Sequence, residues 1–391
     1  MITGLKLMNL KCYKALSLPI ASLTLLTGFN AGGKSTALQG ALLISQALRE
    51  NPRTRWLALN GPLVQLGTPG EVINKSTSER LVSIGVESNG SAILWRLDSE
   101  ERGETDALPI CQIEISDSIN LASYSPSEEE ELSDLLPFHL ERPPEVNDLI
   151  EALRSLIFLS ATRGGAQEIF AAPQSSRPIH ADIGTRGEFA AWWLERFSDE
   201  DVDPARRLAS EPGTTLRRQV SAWGSELFPG FEASAQSWQK TGLIQLQLRT
   251  QITDEWRRPS NVGYGLSYAF PILVAGLLAR PGQTLLIDSP EAHLHPKAQS
   301  RIGKFIAAMA NSGVRVVVET HSDHVLNGVR LAVRDNLVKA EEVSIHFFSG
   351  VTDSDLGIAS VHLDKDGAID AWPTGFFDQS ERDLAQLAGW E

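Results

Sequence analysis

The sequence predicts an α/β fold: a mainly parallel sheet with an antiparallel β subdomain near the N-terminus and an inserted helical arm. The first observation is a glycine-rich loop that joins an apolar strand candidate at 23–26 to a helix candidate at 34–49. The second is a regular alternation of apolar strands and helices in the C-terminal half, which favours parallel pairing. These alternating candidates are 284–288, 296–310, 314–319 and 323–335.

Composition narrows the classes of protein. The 391 residues carry 35 basic and 49 acidic side chains, a formal charge of −14, which argues against a uniformly basic coat for nucleic acid but not against a local basic groove. The two cysteines, Cys12 and Cys111, suggest neither a disulfide framework nor a thiolate zinc site, so we expect a cytoplasmic protein. The longest apolar run, 266–279, is shorter than the roughly 20 residues of a membrane span.

Local patterns place further elements along the chain. Alternating apolar residues at 5–10 and 16–26 indicate strands, and 80–97 is typical of a hairpin that turns at Asn89-Gly90. The polar, acidic stretch 117–144 is expected to be a surface insertion, part helix and part loop. The remaining candidates are a short apolar strand at 156–160, a mostly helical stretch at 186–228 and strands at 243–250, 343–349 and 357–363.

The segment Gly28-Phe-Asn-Ala-Gly-Gly-Lys-Ser has the form G-x-x-x-x-G-K-[ST] and stands between a strand and a helix, as a phosphate-binding loop requires. Its glycines allow backbone N–H groups to surround phosphate oxygens, and the helix start adds partial positive charge. Lys34 is expected to reach the β- and γ-phosphates, and Ser35 to bind Mg²⁺. The fold is therefore predicted to be that of a P-loop NTPase. The expected nucleotide-binding residues of this loop are Gly28, Asn30, Gly32, Gly33, Lys34, Ser35 and Thr36.

Two later strands end in polar clusters. The strand 284–288 ends in Asp288, which is typical of the second Mg²⁺-binding motif of P-loop NTPases, and 314–318 is followed by Glu319-Thr-His321. Parallel strands bring their carboxyl ends to one edge of a sheet, where α/β proteins bind ligands. A transition-metal centre is an alternative interpretation of the same region. Its candidate ligands are Asp288, Glu291, His293, His295, His321 and His324.

Taken in order, these motifs resemble the ABC-type ATPase heads of the RecF, SMC and OLD (overcoming lysogenization defect) group. More narrowly, the chain is similar to stand-alone prokaryotic AAA-family ATPases that end in a small domain of unknown function, here expected around 364–378. The resemblance covers about the first 80 residues and most of the chain after about 260. The motifs that carry it are the phosphate loop, a signature at 261–267, Asp288-Ser-Pro-Glu291-Ala-His-Leu-His-Pro and Glu319-Thr-His321-Ser-Asp.

The resemblance implies ATP and Mg²⁺ as ligands and assigns roles by position. Asp288 is the second Mg²⁺ carboxylate, His321 is the switch histidine that senses the γ-phosphate, and Gln65 is a candidate for the glutamine of the Q-loop at the metal. Two heads join head to tail, so that ATP holds the dimer together and hydrolysis releases it. The signature residues that would touch the ATP of the second subunit are Gly263, Gly265 and Ser267.

The chain departs from the pattern of these ATPases at one position. The residue after the Mg²⁺ carboxylate is usually the glutamate that activates water, and here it is Ser289, which is no general base at neutral pH. Glu291 is the nearest carboxylate for that role, so the catalytic residues expected are Glu291, His321 and Lys34. Slow hydrolysis, with ATP acting mainly as a dimer clamp, is the alternative.

The expected domains are two halves of one ATPase head, 1–116 and 241–340, an acidic insertion and helical arm at 117–240, and a small C-terminal domain at 341–391. The leading hypothesis is an ATPase whose homodimer regulates a partner effector, a nuclease or toxin, in prokaryotic antiviral defence, with no membrane partner. A non-hydrolysing nucleotide-dependent scaffold is one alternative. The other is a RecF-like ATPase that clamps DNA. Its basic groove would come from Arg206-Arg207, Arg217-Arg218 and Arg257-Arg258.

Overall fold

A computed structural model describes every residue except 101–105, 118–119, 128–129, 176, 239–240, 251–254, 352–355 and 390–391. Its strands are β1 (Gly4–Leu10), β2 (Tyr13–Pro19), β3 (Leu23–Gly28), β4 (Trp56–Ala58), β5 (Leu81–Ser88), β6 (Ser91–Asp98), β7 (Ala107–Ser116), β8 (Leu121–Tyr124), β9 (Leu132–Ser133), β10 (Leu136–Pro137), β11 (Ile157–Leu159), β12 (Ile169–Ala171), β13 (Glu232–Trp238), β14 (Leu243–Arg249), β15 (Thr284–Asp288), β16 (Arg315–Glu319), β17 (Val343–Val351) and β18 (Leu356–Val361). Its helices are α1 (Lys34–Glu50), α2 (Pro69–Val72), α3 (Pro144–Arg154), α4 (Ala190–Phe197), α5 (Leu216–Leu227), α6 (Tyr264–Leu278), α7 (Pro296–Asn311), α8 (Asp323–Arg334) and α9 (Gln379–Ala388).

The central sheet has six strands in the order β11-β15-β16-β3-β17-β18, and every neighbouring pair is parallel except β17 with β18. Its strands are apolar on both faces, as expected for a sheet covered on both sides. Leu25 and Ile287 belong to one buried cluster, while Leu26 and Leu286 belong to another on the opposite face. This confirms the predicted α/β class and its mainly parallel sheet.

The second sheet is the predicted antiparallel β subdomain. It has the order β2-β1-β5-β6-β7-β4, with β8 paired to β7. The hairpin of β5 and β6 turns at Asn89 and Gly90, whose φ angles of 42° and 88° suit the tight turn expected there. Helix α1 lies between the two sheets, and at Gly40 it comes so close to Leu7 that a Cβ would lie 2.5 Å from that side chain.

The acidic insertion differs from its expectation. Within the described part of 117–143 there is no helix; β8 extends the second sheet, and β9 pairs with β10. Leu132, Leu135 and Leu136 are fully buried, and the Trp95 indole N–H donates to the Leu135 carbonyl at 3.0 Å. The expected helix is absent from that described part, where these leucines anchor the chain in the core of the β subdomain, whereas Leu121 and Phe138 are exposed at the surface.

The arm contains the predicted helices α4 and α5, but it also contains a sheet of order β12-β14-β13. Trp193 of α4 and Trp223 of α5 are buried in the same cluster as Leu246 of β14. Helices therefore cover one face of a small antiparallel sheet, and the arm is not purely helical. Strand β12 has only three residues, which is too short for an alternating pattern to be read in the sequence.

The tail joins the central sheet. Both predicted tail strands exist, and β17 pairs in parallel with β3, the strand that leads into the glycine-rich loop. The domain boundary expected at 341 thus falls just before a strand of the central sheet. Phe376 packs against Phe347 of β17 with 5.4 Å between ring centroids, which fixes the end of the tail to the same core.

Helix α6 is apolar all round because it is buried, and it contains Pro271. Throughout the described ranges, no helix is both long enough and apolar enough to cross a membrane.

Candidate functional site

The glycine-rich loop closes against the tail strand β17. The Phe29 N–H donates to the Phe348 carbonyl at 3.0 Å, and the Gly32 N–H donates back to the Phe29 carbonyl at 3.2 Å. Gly28 and Gly33 have φ angles of 122° and 96°, and a Cβ on Gly28 would lie 2.2 Å from the Phe348 carbonyl oxygen. Only glycine fits at position 28, so the loop can lie directly against the backbone of β17 before α1 begins. Asn30 is exposed at the tip, and Thr36 lies in the first turn of α1.

Lys34 is buried at the base of this loop. Its ammonium donates to the carbonyls of Phe29 at 2.8 Å and Gly28 at 3.2 Å, which holds it folded against the loop. Burial lowers the pKa of Lys34, and the nearby negative charge of Glu319, with Nζ to Oε1 at 4.0 Å, opposes that shift. The Lys34 ammonium therefore lies where the phosphates of a nucleotide are expected.

Asp288 and Glu319 end two neighbouring parallel strands and stand opposite each other in the register of β15 and β16. The Ser35 hydroxyl donates to Glu319 Oε1 at 3.0 Å. Glu319 is 6 % exposed, and burial, followed by the charge of Asp288, raises its pKa to about 7. These three residues form a set of hard oxygen donors at the carboxyl edge of the sheet.

Glu319 is a site residue that is not among those predicted from the sequence. Its signal was present, because a carboxylate at the end of the strand next to Asp288 must lie beside it once the two strands pair in register.

Glu291 and His321 lie together beyond the same edge. The Thr320 hydroxyl donates to Glu291 Oε2 and the His321 backbone N–H to Oε1, both at 2.8 Å. Burial lowers the pKa of the His321 imidazole, and the charge of Lys34 adds to the shift. Ser289 lies between Asp288 and Glu291 in the sequence, and its hydroxyl donates to Asp288 Oδ1 at 2.8 Å. The structure thus brings Lys34, Ser35, Asp288, Glu291 and His321 together, as the sequence predicted.

Comparisons with known proteins match two segments of the chain and its fold. The family model described as "AAA domain, putative AbiEii toxin, Type IV TA system" matches residues 193–327, and "Protein of unknown function (DUF3696)" matches 338–387. Among solved structures, the SMC head bound to the C-terminal winged-helix domain of ScpA has a TM-score of 0.51 and 15% identity, covering 93% of this chain and 98% of that one. The Smc head of Pyrococcus yayanosii, solved with a coiled coil and joint, has a TM-score of 0.50 and 12% identity, covering 98% and 99%.

The chain has the ABC-ATPase-like fold of these SMC heads. At these identities the structural likeness concerns the fold alone, and the family match identifies residues 193–327 as similar to an AAA domain. The expected small C-terminal domain is matched as well, although its first strands complete the sheet of the head. A search of curated proteins gives no significant match.

The signature segment of the ATPase head is only partly accessible. Gly263 and Tyr264 are exposed at the start of α6, and a Cβ on Gly263 would meet nothing within 4 Å. Gly265 and Ser267 are buried, and a Cβ on Gly265 would lie 2.8 Å from the His293 carbonyl oxygen. Of the three predicted signature residues, only Gly263 is open to a second molecule in this conformation.

Gln65 is not at the carboxyl edge of the central sheet. It is exposed in a loop where the N–H groups of Leu63 and Val64 donate to the Gln46 side chain. Gln46 lies twelve residues beyond Lys34 on α1, which corresponds to about 18 Å along the helix. In the described chain, no hydrogen bond joins the Gln65 side chain to Ser35 or Asp288, so its role at the metal stays a prediction.

The histidines of the alternative metal centre have other partners. The His293 ring packs on Tyr268 with 4.5 Å between centroids, and His295 Nδ1 accepts the Lys297 N–H at the start of α7. His324 lies beside Asp323. Within the described ranges, no three His, Cys, Asp or Glu side chains are grouped for metal binding.

Four of the six arginines proposed for a DNA groove are buried or lie beside a carboxylate. Arg206 is buried, Arg217 pairs with Asp199 at 2.9 Å, Arg218 with Glu211 at 3.6 Å and Arg258 with Glu168 at 3.3 Å. Arg217, Arg218 and Arg258 are exposed surface arginines, each with an acidic neighbour.

Proposed function

We propose that the ATPase head binds ATP with Mg²⁺ and hydrolyses it. The observation that carries the proposal is one connected network at the sheet edge, in which Ser35 bonds to Glu319 and Glu319 lies opposite Asp288. Glu291 is tied to the switch segment of His321 beside it. A phosphate loop, a cation, two metal-type carboxylates and a base candidate therefore share one site.

The donors present fit Mg²⁺, which binds one or two protein carboxylates together with substrate phosphates. Ser35 and Asp288 would hold it, and Glu319 lies beside both. When bound, the ion supplies neutralisation of the phosphate charge. The buried Lys34 adds a second cation, and the N–H groups of the loop contribute dipoles.

Glu291 is the base that we assign to this reaction. Its carboxylate is held by two donors on the switch segment, Thr320 and the backbone of His321, which orients it near the site. Ser289 instead bonds to Asp288 and positions that carboxylate. The departure at Ser289 thus moves the base by two residues, and it need not make the protein a scaffold without turnover.

Substitution Glu291→Gln tests this assignment. We expect phosphate release to fall by about 10²-fold or more, because general-base catalysis contributes typically 10²–10⁴-fold, while ATP affinity changes little. Lys34→Ala is the control, since it should weaken ATP binding itself. Normal turnover by Glu291→Gln would refute the assignment, and absence of turnover in the wild type would favour the scaffold.

We also propose that two heads join head to tail on ATP. The start of α6 supports this, because Gly263 caps the helix without a side-chain bond and leaves N–H groups open to a second molecule. Gly263→Glu adds a negative charge on an open surface, with φ at −62°, so the monomer should fold and bind ATP normally. Light scattering should then show an ATP-dependent dimer in the wild type and at least a tenfold weaker one in Gly263→Glu. A dimer of equal strength would contradict the arrangement.

For the dimer we propose a protein effector, a nuclease or toxin, as the partner, in prokaryotic antiviral defence in the cytoplasm. The family description mentions a toxin of the AbiEii type, and the paired arginines favour a protein over DNA. Co-purification from the native host in the presence of ATP tests the partner, and recovery of DNA alone would favour the RecF-like alternative.

A further inference from the structure

Arg163 lies in the loop that follows β11, the outer strand beside β15. Leu159 pairs in register with Ile287, so the loop after β11 stands next to Asp288 at the carboxyl edge of the sheet. The loop is itself fixed, since the Ser160 N–H donates to Thr185 and the Gly164 N–H to Arg186. Arg163 is 3 % exposed and enters the protein from this rigid base.

The guanidinium grips the turn that carries Asp288 and Glu291. Nη2 donates to the carbonyl of Asp288 at 2.6 Å and to that of Ser289 at 3.0 Å. Ser289 has a left-handed φ of 49°, which is strained for a residue with a Cβ and persists only where its surroundings hold it. Arg163 therefore fixes the two carbonyls at the start of that strained turn.

The other donors of Arg163 are left without partners. Among the residues that the structure describes, neither Nε nor Nη1 has a hydrogen-bond acceptor, although both are buried. Burial lowers the pKa of Arg163 to about 10, and the negative charges of Asp288 and Glu291 oppose the shift. A buried arginine with unpaired donors is costly to stability, so its presence beside these carboxylates is better explained by the site than by folding.

Arg163 also touches the signature helix. Its guanidinium lies 5.6 Å from the centroid of the Tyr268 ring, and Tyr268 packs on His293 of the same turn. Tyr264, exposed at the start of α6, packs on His293 as well, with 5.6 Å between centroids. The Arg163 side chain thus contacts both the turn that carries Asp288 and α6, the helix that begins at the exposed Gly263.

We infer that Arg163 is a positioning residue of the ATPase site, which holds the 288–291 turn in its productive shape and joins it to the signature helix. The inference rests on the proposed ATPase function. Misplacing a catalytic group by about 1 Å costs on the order of 10²-fold in rate, so losing the grip on this turn should lower turnover more than binding.

Two substitutions and one control test this. Arg163→Met keeps the bulk of the side chain without its donors, and Arg163→Lys keeps the charge without the planar fork. The matched control is Arg206→Lys, because Arg206 is also 3 % exposed but lies in the arm. Its guanidinium donates to the Ser312 hydroxyl and to the carbonyls of Leu277 and Ala279. The measurements are kcat for ATP, Kd for a fluorescent ATP analogue, and amide hydrogen exchange of peptides covering 286–296.

For Arg163→Met we expect kcat to fall by about 10²-fold with Kd within about threefold, and Arg163→Lys to recover about tenfold. Exchange at 289–294 should accelerate in Arg163→Met and stay at the wild-type rate in Arg206→Lys. The inference is overturned if kcat of Arg163→Met stays within about twofold of wild type. It is also overturned if Arg163→Met and Arg206→Lys accelerate exchange at 289–294 equally. Where Arg163→Met does not fold, the loss of kcat in Arg163→Lys decides.

A wild type without turnover would sink the proposed function and leave the exchange experiment to decide Arg163. Faster exchange at 289–294 confined to the Arg163 variants would still support the grip on the turn. Unchanged exchange would overturn it.

Discussion

The carboxyl edge of the central sheet and the arm each contain a buried arginine, but the two arginines differ in their hydrogen-bond partners. Arg206 in the arm donates from Nε to Ser312 at 2.8 Å and from Nη1 to Leu277 and Ala279, and its Nη2 lies 3.9 Å from Asp203. Arg163 at the edge leaves Nε and Nη1 without acceptors among the described residues. Arg206 therefore stabilises the packing of the arm on its neighbours, whereas Arg163 has buried donors that no described residue satisfies.

The same contrast extends to acidic groups. Glu319 is buried near Asp288, although their charges repel. Among the described residues, the Ser35 hydroxyl and the more distant Lys34 offset this repulsion. An arrangement that weakens the fold at one edge is typical of binding and catalytic sites, where the ligand supplies the missing partners.

The largest expected effect is on the arm. Arg206→Met should lower the free energy of unfolding by about 3–5 kcal/mol, because it leaves several buried acceptors unpaired. Urea titration monitored by tryptophan fluorescence measures this. ATP binding per folded molecule should be unchanged, and a stability within about 1 kcal/mol of wild type would break the comparison.

Glu319→Gln should act in the opposite direction. Because the pKa of Glu319 rises from 4.5 to about 7 on folding, the folded protein binds the extra proton between these values, so wild-type stability falls as pH rises from about 4.5 to 7. Above that window the cost is full, on the order of 3 kcal/mol. In nucleotide-free protein with chelator, Glu319→Gln should lack this fall and be more stable at pH 8. Parallel pH curves for the two proteins would contradict the assignment.

The smallest expected change in stability is that of Arg163→Met. Removing a buried guanidinium that has two unpaired donors also removes their desolvation cost, so the net loss should be about 1 kcal/mol, well below that of Arg206→Met. Urea titration of the two variants side by side sharpens the comparison. Equal losses would mean that Arg163 contributes to folding as Arg206 does.

Local patterns allowed most of the site to be predicted. The loop from Gly28 to Thr36 and the hairpin at Asn89 follow from residues adjacent in sequence. Glu319 and Arg163 were missed as site residues because their roles depend on the pairing of β11, β15 and β16, which no local pattern specifies. Gln65 was chosen from its sequence context alone, and the structure places it in an exposed loop whose Leu63 and Val64 bond to Gln46.

The mixed architecture of the arm was harder to predict for a related reason. Its strands are short or partly exposed, and β12 contributes three residues to a sheet whose other members come more than 60 residues later. The leucines of the acidic insertion show the same limit, since Leu135 is recognisable as core only once Trp95 is placed above it.

The pairing of β17 with β3 has a consequence for protein synthesis. The backbone of Phe348 closes the loop at Phe29, yet it is translated more than 300 residues later. A nascent chain therefore carries its phosphate loop through most of translation without the neighbour that shapes it. The loop is synthesised early but completed late, so a ribosome stalled before β17 would hold a chain with an incomplete pocket.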